Sequence, residues 1–457
     1  MAVPDWIFRE YDIRGVVGED LTPDLARGVG RALASRMGQG ARVALGHDNR
    51  PSSPELAAAL GEGLRASGAD VRFVGTVPTP ALYYAEHVLD VDGGVQITGS
   101  HNPPEYNGIK MVVGGEALYG DAIRDLRRRI EAGDLEKGSG RLADVAILDR
   151  YVEEIAARAH VDPPVDVVLD CGNGTGSVVA PRALEAAGAR VDPLYCESDG
   201  TFPHHHPDPT VDENVRDLIA RVRERGSGFG VGLDGDADRI GVVTEEGKIV
   251  RGDHLLLLFA LDVLERRPGA EVIFDVKCSK ALPELIEEAG GVPVMWKTGH
   301  SLIKERMRRT SAPIAGEMSG HICFADNYFG FDDGIYAAAR LAAFVARRGR
   351  TLSELASRIP DYPSTPELRL DCPEERKLEV VDRVARTFRD RRPVFDLDGA
   401  RIDFGDGWAL VRASNTQPVV VARFEAESRE GLRAIRDEVA AVLEEEGLEV
   451  PEIPGGS

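Results

Sequence analysis

Three times along this chain a short apolar run gives way to a polar turn, an amphipathic stretch and a second apolar run. The copies read RVALGHDNRPSSPELAAALGEGLRASGADVRFVG, VDVVLDCGNGTGSVVAPRALEAAGARVDPLY and AEVIFDVKCSKALPELIEEAGGVPVMW. Each predicts a strand, a turn, a helix and a strand, with the helix stopping at a capping glycine: Gly68, Gly188 and Gly290. The copies recur at about one hundred residues, too long a period for a solenoid. They suit three tandem α/β domains, each with a mainly parallel mixed sheet.

Near the C-terminus the pattern changes. ARIDFGDGWALVRASNTQPVVVARFEA alternates apolar and polar residues, with turns at Gly405-Asp406-Gly407 and Asn415-Thr416. A helix, SREGLRAIRDEVAAVLEEEGL, follows. Consecutive strands and then a helix predict an antiparallel α+β domain. The expected division is 1–146, 147–248, 249–361 and 362–457, the last boundary marked by IPDYPSTPE.

Composition narrows the function classes. Apolar content of 43% and charged content of 29% describe a soluble globular chain. The 55 Lys and Arg against 77 Asp and Glu give a net charge of −22, which argues against nucleic acid as a partner. Any anion must therefore be held by a local cluster of donors. The longest clean apolar run, Leu255–Leu261, falls far short of the ~18 residues of a membrane helix. MAVPDWIFREYD shows no signal-peptide pattern, so a cytoplasmic location is expected. Five scattered cysteines without a C-x-x-C pair fit reduced thiols and argue against structural zinc.

Several segments carry candidate chemistry. In VGLDGDADRIGVV, Asp234, Asp236 and Asp238 alternate between two predicted strands. Carboxylates this close repel unless a cation sits among them, and an all-oxygen set suits Mg²⁺. The loop is not an EF-hand, because Arg239 stands where that loop needs glycine and a strand follows. CGNGTGS lacks the last glycine of a dinucleotide fingerprint, so a tight turn with anion-friendly amides is expected. AGEMSGHICF places Glu317, Ser319 and His321 in a glycine-flanked turn that suits a sugar. VRASNTQPVVV gathers Arg412, Ser414, Asn415 and Thr416, donors that match a phosphate and equally cap an ordinary turn. The histidines of FPHHHPDP cannot converge on one ion from an extended segment, and a structural or interface role is expected.

ITGSHNPPEYNGIK crowds Ser100, His101 and Lys110 together. Ser100 follows the predicted strand GVQIT at its C-terminal end, where ligands of parallel α/β sheets gather. No G-x-S-x-G elbow supports esterase chemistry. A phosphorylated Ser100 would want a metal and cationic neighbours, which the Asp loop, His101 and Lys110 could supply. Asn107-Gly108, a favoured hairpin pair, is expected to turn the chain back and return Lys110.

Taken in order, FREYDIRGVV, TGSHNPPEYNGIK, DGDADR, WKTGHSLIK, GEMSGH and RASNTQPVVVARFEA resemble the α-D-phosphohexomutase family over nearly the whole chain. The resemblance implies four domains around a central cleft and a Mg²⁺-dependent isomerase that moves a phosphoryl group between O1 and O6 of a hexose. It implies a phosphorylated Ser100 that also touches the metal, and Asp234, Asp236 and Asp238 as the other ligands. Glu317 and Ser319 would then read sugar hydroxyls, and Arg412, Ser414, Asn415 and Thr416 would grip the phosphate already present. Tyr11, Arg14, Lys110, Arg239, Lys277, Lys297 and His300 would line the cleft. A hexose 1,6-bisphosphate is the implied intermediate and activator. Sugar phosphates are the expected partners, and the chain is expected as a monomer or homodimer. Lys110, His101 and Arg239 are all candidates for the base. GHDNRPSS is looser than the family's usual form, though Arg50 is retained. Met318 and Thr98-Gly99 favour mannose and glucose over glucosamine phosphates. A phosphoglucosamine mutase, a Mg²⁺-dependent phosphatase and a sugar-phosphate sensor are the alternatives.

Overall fold

The computed structural model describes residues 3–226, 228–414 and 418–452. Its four sheets follow one another along the chain. In the first, Arg42–His47 pairs in parallel with Asp70–Thr76 and Gly93–Ile97, and Tyr106–Val113 runs antiparallel between Gly93–Ile97 and Ile13–Val16. In the second, Asp166–Asp170 pairs in parallel with Arg190–Leu194 and Phe229–Leu233, and Ile240–Val243 returns antiparallel. In the third, Glu271–Asp275 pairs in parallel with Val292–Trp296 and Ile314–Gly316, and Ile322–Phe324 closes antiparallel. The fourth is wholly antiparallel, in the order Leu368–Asp371, Val419–Ala426, Gly407–Ala413, Ala400–Asp403, Val394–Phe395.

The repeated helices are Ser53–Ala66, Ala180–Ala187 and Ala281–Glu288. Gly188 caps its helix at φ 108°, in the left-handed region that glycine adopts without strain. Gly68 and Gly290 also have positive φ but stand one residue past the caps, Ser67 and Ala289. CGNGTGS forms a tight turn leading into a short 3₁₀ segment, Thr175–Val178.

Packing joins the first three sheets. One apolar cluster runs from Ala44 and the helix Thr79–Val88 through Leu169, Phe229 and the helix Gly252–Arg266 to Ile359. The fourth sheet packs its own core, Leu370 to Val450, under the helices Lys377–Arg389 and Arg429–Glu445.

One local expectation is overturned. Asn107 and Gly108 do not turn the chain; they lie inside the strand Tyr106–Val113. The buried Asn107 amide donates to the hydroxyls of Ser52 (2.9 Å) and Ser53 (2.8 Å), and its Oδ1 accepts from Gly108 N–H at 2.8 Å. Gly108 serves close approach, since a Cβ would stand 2.7 Å from the Ile13 carbonyl oxygen. The reversal is made by residues 98–105, which contain the two prolines. The histidine tract is structural in part: His204 Nδ1 lies 2.7 Å from Asn173 Oδ1, and His205 Nε2 lies 3.0 Å from Asp170 Oδ2.

Candidate active site

Ser100, itself buried, lines a cleft of about 1250 Å³ to which all four units contribute residues. Its φ of 49° is left-handed, a strained state for a serine that surroundings must enforce. Arg50 enforces it. This guanidinium, 1% exposed, donates to the carbonyls of Ser100 (2.7 Å), Asn102 (2.7 Å), Pro103 (2.6 Å) and Tyr106 (3.0 Å). Its Nε pairs with Asp48 Oδ2 at 3.1 Å, and Asp48 in turn accepts the Gly99 N–H at 3.1 Å. The buried charge is thus fully used in holding one loop.

Ser100 Oγ donates to Asp234 Oδ2 at 3.0 Å and lies 3.1 Å from His101 Nδ1. The three aspartates are wholly buried at the ends of Phe229–Leu233 and Ile240–Val243. Lys110 Nζ reaches Asp236 Oδ2 at 2.7 Å and Asp238 Oδ2 at 2.6 Å. Burial disfavours the Lys110 ammonium, but the two carboxylates outweigh it and hold the group above its ordinary value. Burial, and then Asp236 and Asp238, push Asp234 well above the usual carboxylate range. Against the same burial, Lys110 holds Asp236 below it. One ammonium cannot neutralise three carboxylates, and Asp236 Oδ1 and Asp238 Oδ1 are buried without a hydrogen-bond partner among the described residues. An all-oxygen set short of positive charge, with two unused oxygens, fits a hard divalent cation.

Behind this loop lies Asp332, which the sequence reading did not single out. It is fully buried, with Lys304 Nζ at 2.6 Å and the Nδ1 atoms of His300 and His321 each at 3.0 Å. His321 Nε2 accepts from Arg239 Nε–H at 2.9 Å. Asp332 thus faces both imidazoles at ion-pair distance, and the Arg239 N–H donated to Nε2 leaves Nδ1 as the nitrogen of His321 that carries a proton. Burial, and then Lys304, hold His300 down at about 4 against the pull of Asp332, so it is neutral at pH 7.

Most of the other predicted residues line the same cleft. Glu317 Oε1 accepts the Gly299 N–H at 2.6 Å, and burial raises its carboxyl. Lys277 pairs with Glu367 at 3.0 Å. Tyr11 Oη donates to the Thr298 carbonyl at 2.8 Å, and Arg14 Nη1 to Asn102 Oδ1 at 2.5 Å. Arg412 Nη2 reaches Asp398 Oδ2 at 3.3 Å, while its buried Nε has no hydrogen-bond partner among the described residues. Ser319 and Ser414 also line the cleft. Lys297 is half-buried and lies outside the lining. Asn415 and Thr416 lie outside the described residues. Asp12, Asp208, Arg251, Glu367 and Arg423 add lining charges that the sequence did not single out, although Asp12, Asp208 and Arg423 lie within quoted motifs.

A serine beside buried carboxylates, in a cleft shared by four tandem units, is the arrangement expected of an α-D-phosphohexomutase. Residues 5–137, 149–247 and 251–362 match the phosphoglucomutase/phosphomannomutase alpha/beta/alpha domains I, II and III, and 367–442 match the C-terminal domain of the same family. The chain belongs to the phosphoglucomutase/phosphomannomutase family. It is 50% identical to a phosphomannomutase/phosphoglucomutase of Pseudomonas aeruginosa over 438 residues, 95% of either chain. It is 44% identical to a phosphoglucomutase of Neisseria gonorrhoeae over 445 residues, 96% of either chain. A family member of solved structure from Burkholderia thailandensis superposes with a TM-score of 0.92 at 43% identity, covering 100% of this chain and 99% of that one.

Proposed function

We propose that this chain interconverts the 1-phosphates and 6-phosphates of mannose and glucose through a phosphorylated Ser100 and a hexose 1,6-bisphosphate. The observation that carries the reading is Ser100 Oγ, 3.0 Å from Asp234 at the edge of an undercharged carboxylate cluster. Transfer breaks the bond from phosphorus to Ser100 Oγ and forms one to O1 or O6 of the bound monophosphate. This step needs positioning and charge rather than further covalent chemistry. Mg²⁺ held by Asp234, Asp236, Asp238 and the serine oxygen would supply positive charge at the transferring phosphoryl group. Lys110 and Arg239 add to it from the protein. Lys110 is held as an ammonium by two carboxylates and so serves as a counter-charge rather than a base. His101 is kept neutral by burial and then by Arg239 and Arg14, and its Nδ1 lies 3.1 Å from Ser100 Oγ, so it is placed to exchange a proton with the serine oxygen as the phosphoryl group leaves and returns.

The bisphosphate then turns over so that its other phosphate faces Ser100. Arg412, Ser414, Asn415, Thr416 and Lys277 must therefore hold a phosphate in either orientation, while Glu317, Ser319, His300 and His321 meet the sugar. The four units of this reading are 1–146 with the serine, 147–248 with the metal loop, 249–361 with the sugar loop and 362–457 with the phosphate loop. Its partners are sugar phosphates, in a cytoplasmic monomer or homodimer. Among the described residues no helix is long and apolar enough to cross a membrane.

The test is intact mass and turnover with glucose 1-phosphate and mannose 1-phosphate. The protein as isolated should carry one phosphoryl group on Ser100. Ser100→Ala should lose it together with roughly 10⁴-fold or more in kcat, in line with removal of a nucleophile. An unmodified, fully active Ser100→Ala protein would falsify the mutase and favour a phosphatase. Asp236→Asn should lose about 10²–10³-fold in kcat and no longer respond to added Mg²⁺.

A further inference from the structure

Cys171 and Cys196 stand on neighbouring turns behind the Asp loop, and their sulfurs approach to 2.9 Å. We propose that they form an oxidative modification site: a hydroperoxide joins them in a reversible disulfide, which slows turnover by shifting the turn that supports the Asp loop.

Cys171 follows the strand Asp166–Asp170, and Cys196 lies two residues beyond its parallel neighbour Arg190–Leu194, where Asp170 stands opposite Leu194. Backbone bonds tie the two turns together, Cys171 N–H to the Leu194 carbonyl at 3.1 Å and Asn173 N–H to the Tyr195 carbonyl at 2.8 Å. Closing to a bond of about 2.05 Å needs less than about 1 Å of sulfur movement. Cys278, Cys323 and Cys372 are each buried, with no second thiol beside them among the described residues.

Access fixes the order of events. Cys171 is fully buried, and burial, then Cys196, push its thiol well up. Cys196 is half-buried and is reached first. Its thiolate attacks the peroxide oxygen, the O–O bond breaks, and a sulfenic acid and an alcohol or water result. The Cys171 sulfur then displaces water from that sulfenic acid. In sum, two thiols and one hydroperoxide give a disulfide, one alcohol or water, and one water, with two electrons passed to the peroxide. A dithiol reverses it.

The link to the active site has no slack. Beyond Cys171 the turn holds Gly172 and Asn173 at φ 52° and 57°. Its Thr175 N–H donates to the Gly235 carbonyl of the Asp loop at 2.8 Å. A Cβ on Gly174 would stand 2.8 Å from that same carbonyl oxygen, and one on Gly235 would stand 2.2 Å from the Ser100 carbonyl oxygen. A shift at Cys171 is therefore passed to Gly235 and to the serine loop. Phosphoryl transfer is sensitive to displacements of this size.

The test treats the full-length chain with hydrogen peroxide, then denatures and alkylates it, maps disulfide-linked peptides and assays glucose 1-phosphate turnover. Two of the five thiols should vanish together, in a linked peptide joining Cys171 to Cys196. Turnover should fall at least about tenfold, in line with a sub-ångström misplacement, and dithiothreitol should restore both. Cys196→Ser should keep its thiols and turnover at the same dose, with Cys196→Ala as the second variant should that one misfold. Earlier oxidation of Cys278, Cys323 or Cys372, a sulfinic acid at Cys196 with Cys171 intact, or a disulfide that leaves turnover unchanged would each overturn the proposal. The thiol map is read whatever reaction the chain catalyses, so it fails or holds independently of the mutase reading; only the second readout rests on that reading.

Discussion

The first three units and the C-terminal unit are attached by different physics. The first three share an apolar cluster that runs unbroken from Ala44 to Ile359. The C-terminal unit meets them through a small patch, Val276, Trp408 and Leu410, and otherwise through polar contacts. Ser279 Oγ and Lys280 N–H donate to Glu425 Oε1 at 3.0 and 2.8 Å, Arg401 donates to the Cys278 carbonyl at 2.8 Å, and Thr298 N–H donates to Asp398 Oδ2 at 2.9 Å. Ser100, the Asp loop and Asp332 belong to the fused body, whereas Arg412 rides on the other. A shared core fixes relative positions to the precision that phosphoryl transfer needs. A polar interface with little apolar area leaves a domain free to shift. The division suits the proposed reaction, in which the reacting groups stay still and a phosphate at the far end is accepted in two orientations.

The largest effect should come from the fused side. Arg50→Met would leave Asp48 unpaired in the interior and free four loop carbonyls. Breaking a buried pair from one side costs about 3–5 kcal/mol, so urea unfolding should show a loss of that order. Turnover should fall with it, because Ser100 would no longer be held at positive φ. A variant with unchanged stability and turnover would mean that the loop is fixed by something else.

A smaller effect is set by pH. Asp333 caps the helix Gly334–Arg348 inside the fused core, accepting from Tyr151 Oη at 2.7 Å, Tyr328 Oη at 2.8 Å and Tyr336 N–H at 2.8 Å. Burial outweighs these donors and raises its carboxyl to about 6. A carboxyl raised on folding binds its proton more tightly when folded. Its contribution is therefore greatest below the unfolded value near 4 and is lost as pH rises through about 6. Between pH 4 and pH 7 the wild type should lose about 2 kcal/mol more than Asp333→Asn, measured by urea unfolding at both pH values. Equal slopes for the two proteins would show that Asp333 ionises normally.

What the sequence disclosed, it disclosed locally. The strand-turn-helix repeats, the Asp loop between two apolar strands and the antiparallel strands of the last sheet each need only neighbouring residues, and each is present, although Gly407–Ala413 and Val419–Ala426 are buried along nearly their whole length rather than alternately. Asn107-Gly108 misled because a hairpin pair and a glycine forced by the Ile13 carbonyl look alike in one dimension. Asp332 was invisible for a related reason. GFDDG has no ligand spacing, and the aspartate acquires meaning only when Lys304, His300 and His321 converge on it. Lys297 erred the other way, sharing a motif with His300 while staying out of the cleft lining. The fused core was equally illegible, since apolar periodicity says which face is buried but not which neighbour covers it.

The seam between the two bodies is tested most directly at Asp398. Its carboxylate takes the Thr298 N–H at 2.9 Å and Arg412 Nη2 at 3.3 Å, and Thr298 also accepts from Tyr11 Oη at 2.8 Å through its carbonyl. Thus Tyr11, Thr298, Asp398 and Arg412 form one polar chain across the cleft. Asp398→Ala cuts that chain without touching the Asp loop. Arg412 would lose its aim and the C-terminal unit one of its few ties to the Thr298 turn. Substrate binding should weaken by roughly tenfold, the value of one charge-assisted hydrogen bond. KM for glucose 1-phosphate should therefore rise by about that factor with kcat changed less than about threefold. A fall in kcat at constant KM would instead mean that the C-terminal unit helps align the reacting groups, and the two bodies would then be one machine in chemistry as well as in binding.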